Sequence, residues 1–232
     1  MKINPNKKKA LSFTRAQVKD PLNCSIGDQK IPEVSCCKYL GIIVRNDLSW
    51  VDQVNYMVQK TLRTLHFIMR IVKKGNKNMK SSACTSLVRP ILEYWALCWD
   101  PYRECQISAL HCVQNKAAKF AHHSGGSDWE SLAQHRKTAR MCALYKVYTS
   151  ERAWKVIGDR LQVSNYLSRV DHFWKIRARK QRADIGKYSF VNRSITDWNQ
   201  LPKGVIRISH SKTHILKMRV RKEETNEENR RQ

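Results

Sequence analysis

SWVDQVNYMVQKTLRTLHFIMRIVKKG, residues Ser49 to Gly75, is the stretch that decides the fold of this chain. Val51, Val54, Val58, Leu62, Leu65, Ile68 and Val72 recur at steps of three and four, which gathers them on one helical face. The spacing predicts an amphipathic helix of about 25 residues. Ser49 with Asp52 three positions on predicts its start, as a capping box with Asp in place of Glu. Gly75 predicts its C-terminal stop. Lys60, Arg63, Arg70, Lys73 and Lys74 stand against the single acid Asp52, so the helix is cationic wherever it is not apolar.

Similar patterns follow downstream. A second helix is predicted from about Lys77 to Trp95, bent or broken at Pro90, whose ring lacks the N–H a helix interior needs. A third runs from about Glu104 to His122 with Ile107, Leu110, Val113 and Phe120 inward. Ser127 and Glu130 form an S-x-x-E box that opens a fourth helix ending near Tyr148. Before Ser49 the text changes. KALSFT alternates, Asp20-Pro21 and Ile26-Gly27-Asp28 punctuate, and Lys38 to Val44 is rich in β-formers, so strands and turns are expected there. After Glu151 the periodicity fades into short elements, and from Arg221 the charged, nearly neutral tail reads as disordered. The predicted class is mainly α, a helical bundle with a small N-terminal β appendage. Its expected divisions are 1–48, 49–150, 151–220 and 221–232.

The chain has 232 residues and 41% hydrophobic content, enough for a sizeable core, so global disorder is excluded. Lys and Arg number 44 against 19 acids, a formal charge of +25. Such an excess points to a large polyanion, and nucleic acid is the first choice. The longest apolar run, Ile91 to Trp99, is broken by Glu93 and too short for a bilayer, so no membrane partner is expected. The opening MKINPNKKKALSF lacks the apolar core of a secretory signal, which points to an intracellular location without choosing nucleus or cytoplasm.

Eight cysteines then sit in a reducing setting. Cys98, Cys105 and Cys112 repeat every seven residues and are read as buried thiols on one helix face. A zinc site from Cys105, Cys112, His122 and His123 matches no familiar ligand spacing, and no metal site is assigned. The ten Asp residues include no D-D or D-x-D, and no nucleophile elbow, phosphate loop or H-E-x-x-H is present. Enzymatic chemistry therefore has no visible home, and no catalytic residue is assigned. The tract RVDHFWKIRARKQRADIGK, Arg169 to Lys187, holds seven basic residues against two acids, Arg177, Arg179, Lys180 and Arg182 among them. Those groups can neutralise phosphates. Phe173 and Trp174 could stack on bases, but the core is the favoured place for both.

Five phrases occur in an order that is not generic: KYLGIIVRNDLSW (38–50), SLVRPILEYWALCWDPY (86–102), LHCVQNKAAKF (110–120), WESLAQHRKTARMCALYKVY (129–148) and SFVNRSITDWNQLP (189–202). Together they resemble the region following the catalytic centre in reverse transcriptases of non-LTR (LINE, jockey-like) retrotransposons. INPNKKKALSF (3–13) resembles that family's motif D strand, with Lys7 at the motif lysine and Lys8 where Thr is usual. Trp95 stands where a small residue is usual, and His135 where Arg is usual.

The resemblance implies a remnant of a polymerase palm, then a thumb-like helical domain and the segment beyond it. It implies that Lys7 lies near an incoming nucleotide, and that Lys38, Tyr39, Leu40 and Gly41 form a primer-grip-like hairpin. Full-length members use Mg, held by aspartates upstream of motif D. Those positions are not in this sequence, so the expectation is a truncated reverse transcriptase, inactive as a polymerase alone and with no cofactor of its own. It would bind RNA, RNA–DNA duplex or DNA through phosphates. A severed palm would also leave strand edges open to self-association. The rival expectation is a domesticated or decayed fragment that serves as a basic protein-interaction module.

Overall fold

Helix α1 runs over Val51–Ile71, four residues shorter than the 25 its periodicity suggests. The structure is a computed structural model that describes residues 8–13, 23–26, 29–122, 131–149, 157, 161–168, 171–203, 205–206 and 213–229. Val54, Met57, Leu65 and Ile68 of α1 are buried, while Val58, Leu62 and Val72 are half-buried and Val51 is exposed. Ser49 and Asp52 do not form the expected capping box. The N-cap is Trp50 and makes no side-chain bond. Asp52 instead accepts from Arg45 Nη1 at 2.9 Å, because the preceding strand places that guanidinium beside the first turn. Gly75 is not a left-handed stop either. It is required sterically, since a Cβ there would lie 2.6 Å from Val72 Cγ1.

Ahead of α1 stand two short antiparallel ribbons, β1 (Ser25–Ile26) with β2 (Gln29–Lys30), and β3 (Cys36–Tyr39) with β4 (Ile42–Arg45). The second ribbon turns at Leu40 and Gly41, with φ of 47° and 83°. Positive φ at both central positions is the two-residue turn whose twist matches that of the strands. Glycine is needed at the second position, where an added Cβ would also meet the Tyr94 ring at 3.1 Å.

The predicted second helix is one helical run in three parts: α2 (Lys77–Ala83), a π turn (Cys84–Val88) and α3 (Arg89–Glu93). Pro90 does not break it. The widened turn just before the proline absorbs the missing donor, so the run bends instead of ending. Helix α4 occupies Glu104–His122 as predicted. Helix α5 covers Leu132–Tyr148 and begins at Ser131, whose side chain accepts from the Gln134 N–H while the Gln134 side chain accepts from the Ser131 N–H. The predicted box at Ser127 and Glu130 lies outside the described residues. Two short helices follow, α6 (Asp184–Lys187) and α7 (Phe190–Asn199), and then α8 (Thr213–Asn229).

Two cores hold these elements. The first joins α1, α2, the π turn, α3 and α4 around Met57, Leu65, Leu92, Trp99 and Leu110, and includes Leu132 at the start of α5. The second joins the far end of α5 (Met141, Leu144, Tyr145) to Ile176, to Ile195 and Trp198 of α7, and to Leu216 and Val220 of α8. Each fully buried Leu, Ile or Met contributes roughly 1.5–3 kcal/mol. The expected boundary near residue 150 is therefore bridged, because α5 supplies both interiors. Residues 221–229, expected to be disordered, continue α8 as helix. Leu216 and Val220 dock the start of that helix, and its Lys, Arg and Glu residues are good helix formers that carry it on.

The chain is thus mainly α with a small β appendage. Among the described residues no helix is long and apolar enough to cross a membrane.

Candidate nucleic-acid interface

At 100° per residue, the buried positions of α1 (Val54, Met57, Thr61, Leu65, Ile68) fill one side of the helix. Arg63 and Arg70 fall on the opposite side and Lys60 on its flank; all three are exposed, as are Lys73 and Lys74 just past its end. Phe67 and Ile71 lie with Lys60 along that flank and are exposed too. The helix therefore presents apolar side chains to the core and a row of cations, interleaved with an aromatic ring, to solvent. His66 beside the stripe lies 3.0 Å from Lys116 Nζ of α4, which extends the cationic surface across the next helix.

The β3–β4 ribbon is drawn onto the same surface. Lys38 Nζ donates to Tyr56 Oη at 2.9 Å and sits 4.2 Å from that ring's centre. Tyr56 precedes Lys60 by one helical turn. Its phenol is pulled below its ordinary range first by the bond from Lys38, with Lys60 and Arg63 adding to the effect. Lys38, Lys60 and Arg63 are thus electrostatic neighbours, brought together from a strand and a helix. The ribbon is fastened from below by Gln53, a fully buried side chain whose Oε1 accepts the Ile43 N–H at 2.9 Å. That bond occupies one outward donor of β4, so the open edge expected to favour self-association is in part closed by α1.

At the ribbon's tip Tyr39 is 68% exposed and Leu40 is exposed, and the Leu40 carbonyl accepts from Tyr94 Oη at 3.1 Å. Trp95, with φ of 51°, exposes its ring beside Tyr94. The predicted motif residue Lys7 lies outside the described residues.

Arg177, Arg179, Lys180 and Arg182 are exposed along an extended segment that leaves the second core at Ile176. Among the described residues none of these four, nor Lys60, Arg63, Arg70, Lys73 or Lys74, pairs with a carboxylate. Phe173, expected in the core, is 80% exposed instead. Its neighbour His172 takes the buried place, with Nε2 donating to the Trp198 carbonyl at 3.0 Å, and the turn closed by the Lys175 N–H on the His172 carbonyl carries Phe173 outward. Trp174 is partly exposed and packs edge-on against Tyr148, which agrees only in part with its core assignment.

The buried-thiol reading of Cys98, Cys105 and Cys112 is likewise corrected, since all three are exposed. Cys105 and Cys112 do share a face of α4, but it is the outward one, with Leu110 and Val113 facing in, while Cys98 lies in the turn before that helix. Cys84 is the buried cysteine, its thiol pushed up to about 11 by burial. Cys105 and Cys112 belong to no group of three or more His, Cys, Asp or Glu that could hold a metal among the described residues, and His123 lies outside them.

One set of residues had no role in the sequence reading. Asp100 accepts from Arg136 Nη1 at 3.0 Å and from Arg140 Nη1, and lies 2.9 Å from Arg193 Nη1. Asp197 accepts from Arg140 Nη2 at 2.8 Å. Arg136 also donates to the Leu92 carbonyl and lies over the Trp99 ring. Burial pushes the Arg136 and Arg193 guanidiniums below their ordinary range, with Asp100 opposing it. The signal was present: Arg136 and Arg140 are four apart and in phase with Leu132 and Leu144, on the inward face of α5. These carboxylates face arginines, and Asp47 and Asp52 face Arg45, so the donor set does not fit the paired divalent cations of a polymerase.

Compared with known proteins, the chain matches no family model, no curated protein and no solved structure.

Proposed function

We propose that this chain is the thumb-and-following region of a non-LTR retrotransposon reverse transcriptase, and that it binds RNA or RNA–DNA duplex through phosphates without polymerase chemistry of its own. The observation that carries the reading is the exposed cationic surface of Lys38, Lys60, Arg63 and Arg70, outside the buried face of α1 and without carboxylate partners among the described residues. Phosphate contact by such side chains releases counterions and reads no sequence. Phe67 within the stripe, and Phe173 beside the second basic segment, add faces on which a base can stack. The ordered phrases support the family part of the reading: Asp100, Arg136, Arg140, Arg193 and Asp197, separated in sequence, come from three of them and meet in one cluster.

The test is fluorescence anisotropy of a labelled RNA–DNA hairpin titrated with the full chain at two salt concentrations. Tight binding at low salt that weakens steeply at high salt is the expected result. Replacing Lys60, Arg63 and Arg70 with Ala should make the slope of log K against log salt shallower, by about 0.9 for each phosphate contact removed. An unchanged slope in a folded variant removes α1 from the site. Displacement by an acidic polypeptide but not by unlabelled duplex would favour the protein-interaction alternative.

A further inference from the structure

The β3–β4 ribbon has two edges, and they differ. Across an antiparallel pair, residues alternate between those that exchange hydrogen bonds and those whose N–H and C=O point outward. Tyr39 and Ile42 close the two-residue turn as a bonded pair, as do Cys37 and Val44 further along. Cys36 and Lys38 on β3, and Ile43 and Arg45 on β4, therefore turn their backbone groups outward. The β4 edge is covered: the Ile43 N–H reaches Gln53, and the Arg45 carbonyl accepts from the Leu48 N–H. On β3 the N–H and C=O groups of Cys36 and Lys38 meet no partner among the described residues, and both residues are exposed. We propose that this outer edge of β3 takes an extended, acidic segment of a partner protein as a third strand.

The same edge already pairs in this way just upstream. Ala10 lies parallel beside Glu33, its N–H donating to the Pro32 carbonyl at 3.0 Å and its carbonyl accepting the Val34 N–H at 2.9 Å. The chain bends at Ser35, and among the described residues the pairing stops there. Beyond the bend the edge is straight strand with the same groups on offer.

The alternation of those groups identifies the class of partner. Each outward residue presents a donor beside an acceptor, and another peptide backbone satisfies both. Phosphates carry acceptors only and would leave the two carbonyls unmatched. Charge then selects among peptides. Lys9, Lys30 and Lys38 are exposed on the strands of this side, against Glu33, and none of the three pairs with a carboxylate among the described residues. Lys60 and Arg63 stand behind Lys38 across Tyr56, whereas Asp47 and Asp52 are engaged by Arg45 on the β4 side. A second copy of the chain would bring a further charge of +25 and another Lys38, so a lysine here opposes self-pairing and admits an acidic strand. The inference goes beyond duplex binding and does not rest on it.

The probe is a nine-residue peptide of alternating glutamate and valine, kept soluble by its charge and extended by its valines. Titrated by NMR into the isotope-labelled full chain, it should bind saturably at one site. Amide exchange at Cys36 and Lys38, open in the free chain, should slow several-fold in the complex. The substitution Cys36→Pro deletes one outward donor, keeps every charge and spares the ribbon's own ladder, as proline does on a sheet edge. It should weaken the probe about two- to tenfold, the value of one hydrogen bond, with the fold checked by circular dichroism.

Two control peptides separate pairing from charge. One has proline for each valine, equal in charge but unable to pair, and the other has lysine for each glutamate; both should bind at least about tenfold more weakly. The proposal is overturned if folded wild type does not bind the glutamate–valine peptide, if either control binds as well, or if exchange at Cys36 and Lys38 is unchanged in the complex. Displacement of the probe by the RNA–DNA hairpin, together with full binding to Cys36→Pro, would assign the peptide to the α1 surface and overturn it too. Duplex affinity of Cys36→Pro should equal that of wild type, which keeps this result distinct from the test of that surface.

Discussion

Replacing Asp100 with Ala puts the buried charge cluster to a direct test. The carboxylate receives Arg136 at 3.0 Å, lies 2.9 Å from Arg193, and also receives Arg140. After substitution Arg140 keeps Asp197, but Arg136, 4% exposed, keeps only the Leu92 carbonyl and the Trp99 face. Removing one partner from a buried ion pair costs about 3–5 kcal/mol, most of it the penalty of the stranded charge. A domain of this size loses about 2–4 °C of Tm per kcal/mol, so the expected fall is roughly 6–20 °C. Thermal melting followed by circular dichroism reads it. Asp100→Asn keeps the shape and one acceptor and should fall between Ala and wild type. High salt should leave the difference nearly intact, because a buried pair is poorly screened. A loss below about 1 kcal/mol, the value of an exposed pair, would refute the claim that this cluster is shielded from water.

Two further outcomes follow from local geometry. Leu40 holds φ of 47° at the ribbon tip, a conformation that Asn tolerates and Leu does not favour, so Leu40→Asn should stabilise the fold by up to about 1 kcal/mol; a lower urea midpoint would contradict the turn assignment. His172 donates through Nε2 and buries an Nδ1 with no partner, and burial lowers its pKa from the ordinary 6.5. Between the lowered and the ordinary value the unfolded chain binds more protons, so stability rises with pH there and is lost as pH falls below about 6.5. His172→Gln should flatten that slope in unfolding curves taken from about pH 7 to about pH 5, and an unchanged slope would place the titration elsewhere.

Much of the fold was legible where one face of an element repeats. The α1 and α4 periods announced themselves because Leu65 and Ile68, or Leu110 and Val113, fall at helical steps. Orientation was less legible for residues that pack either way. Cys105 and Cys112 lie outward and Phe173 points to solvent, because spacing marks a face without saying which face is buried. The exposed cations of the candidate interface were readable as charges, but Lys38 came to Tyr56 and Lys60 only through the ribbon's docking on Gln53. Least legible was the arginine cluster, whose ion pairs join positions from 36 to 93 apart. Its trace in the sequence was a pair of arginines in phase with leucines, which an expectation of solvated charge passes over.

Helix α5 has a consequence for how the molecule can come apart. Its 17 residues make a rod of about 25 Å, seated in one interior by Leu132 and in the other by Met141, Leu144 and Tyr145. A rod cannot tilt at one end without displacing the other, so strain in either interior is shared by both. Separating the pieces on either side of residue 150 would leave α5 with an unclothed apolar flank, and α7 and α8 without the wall they lean on. After a cut there the two pieces would therefore stay clasped around that helix: the chain can be nicked there, but not divided.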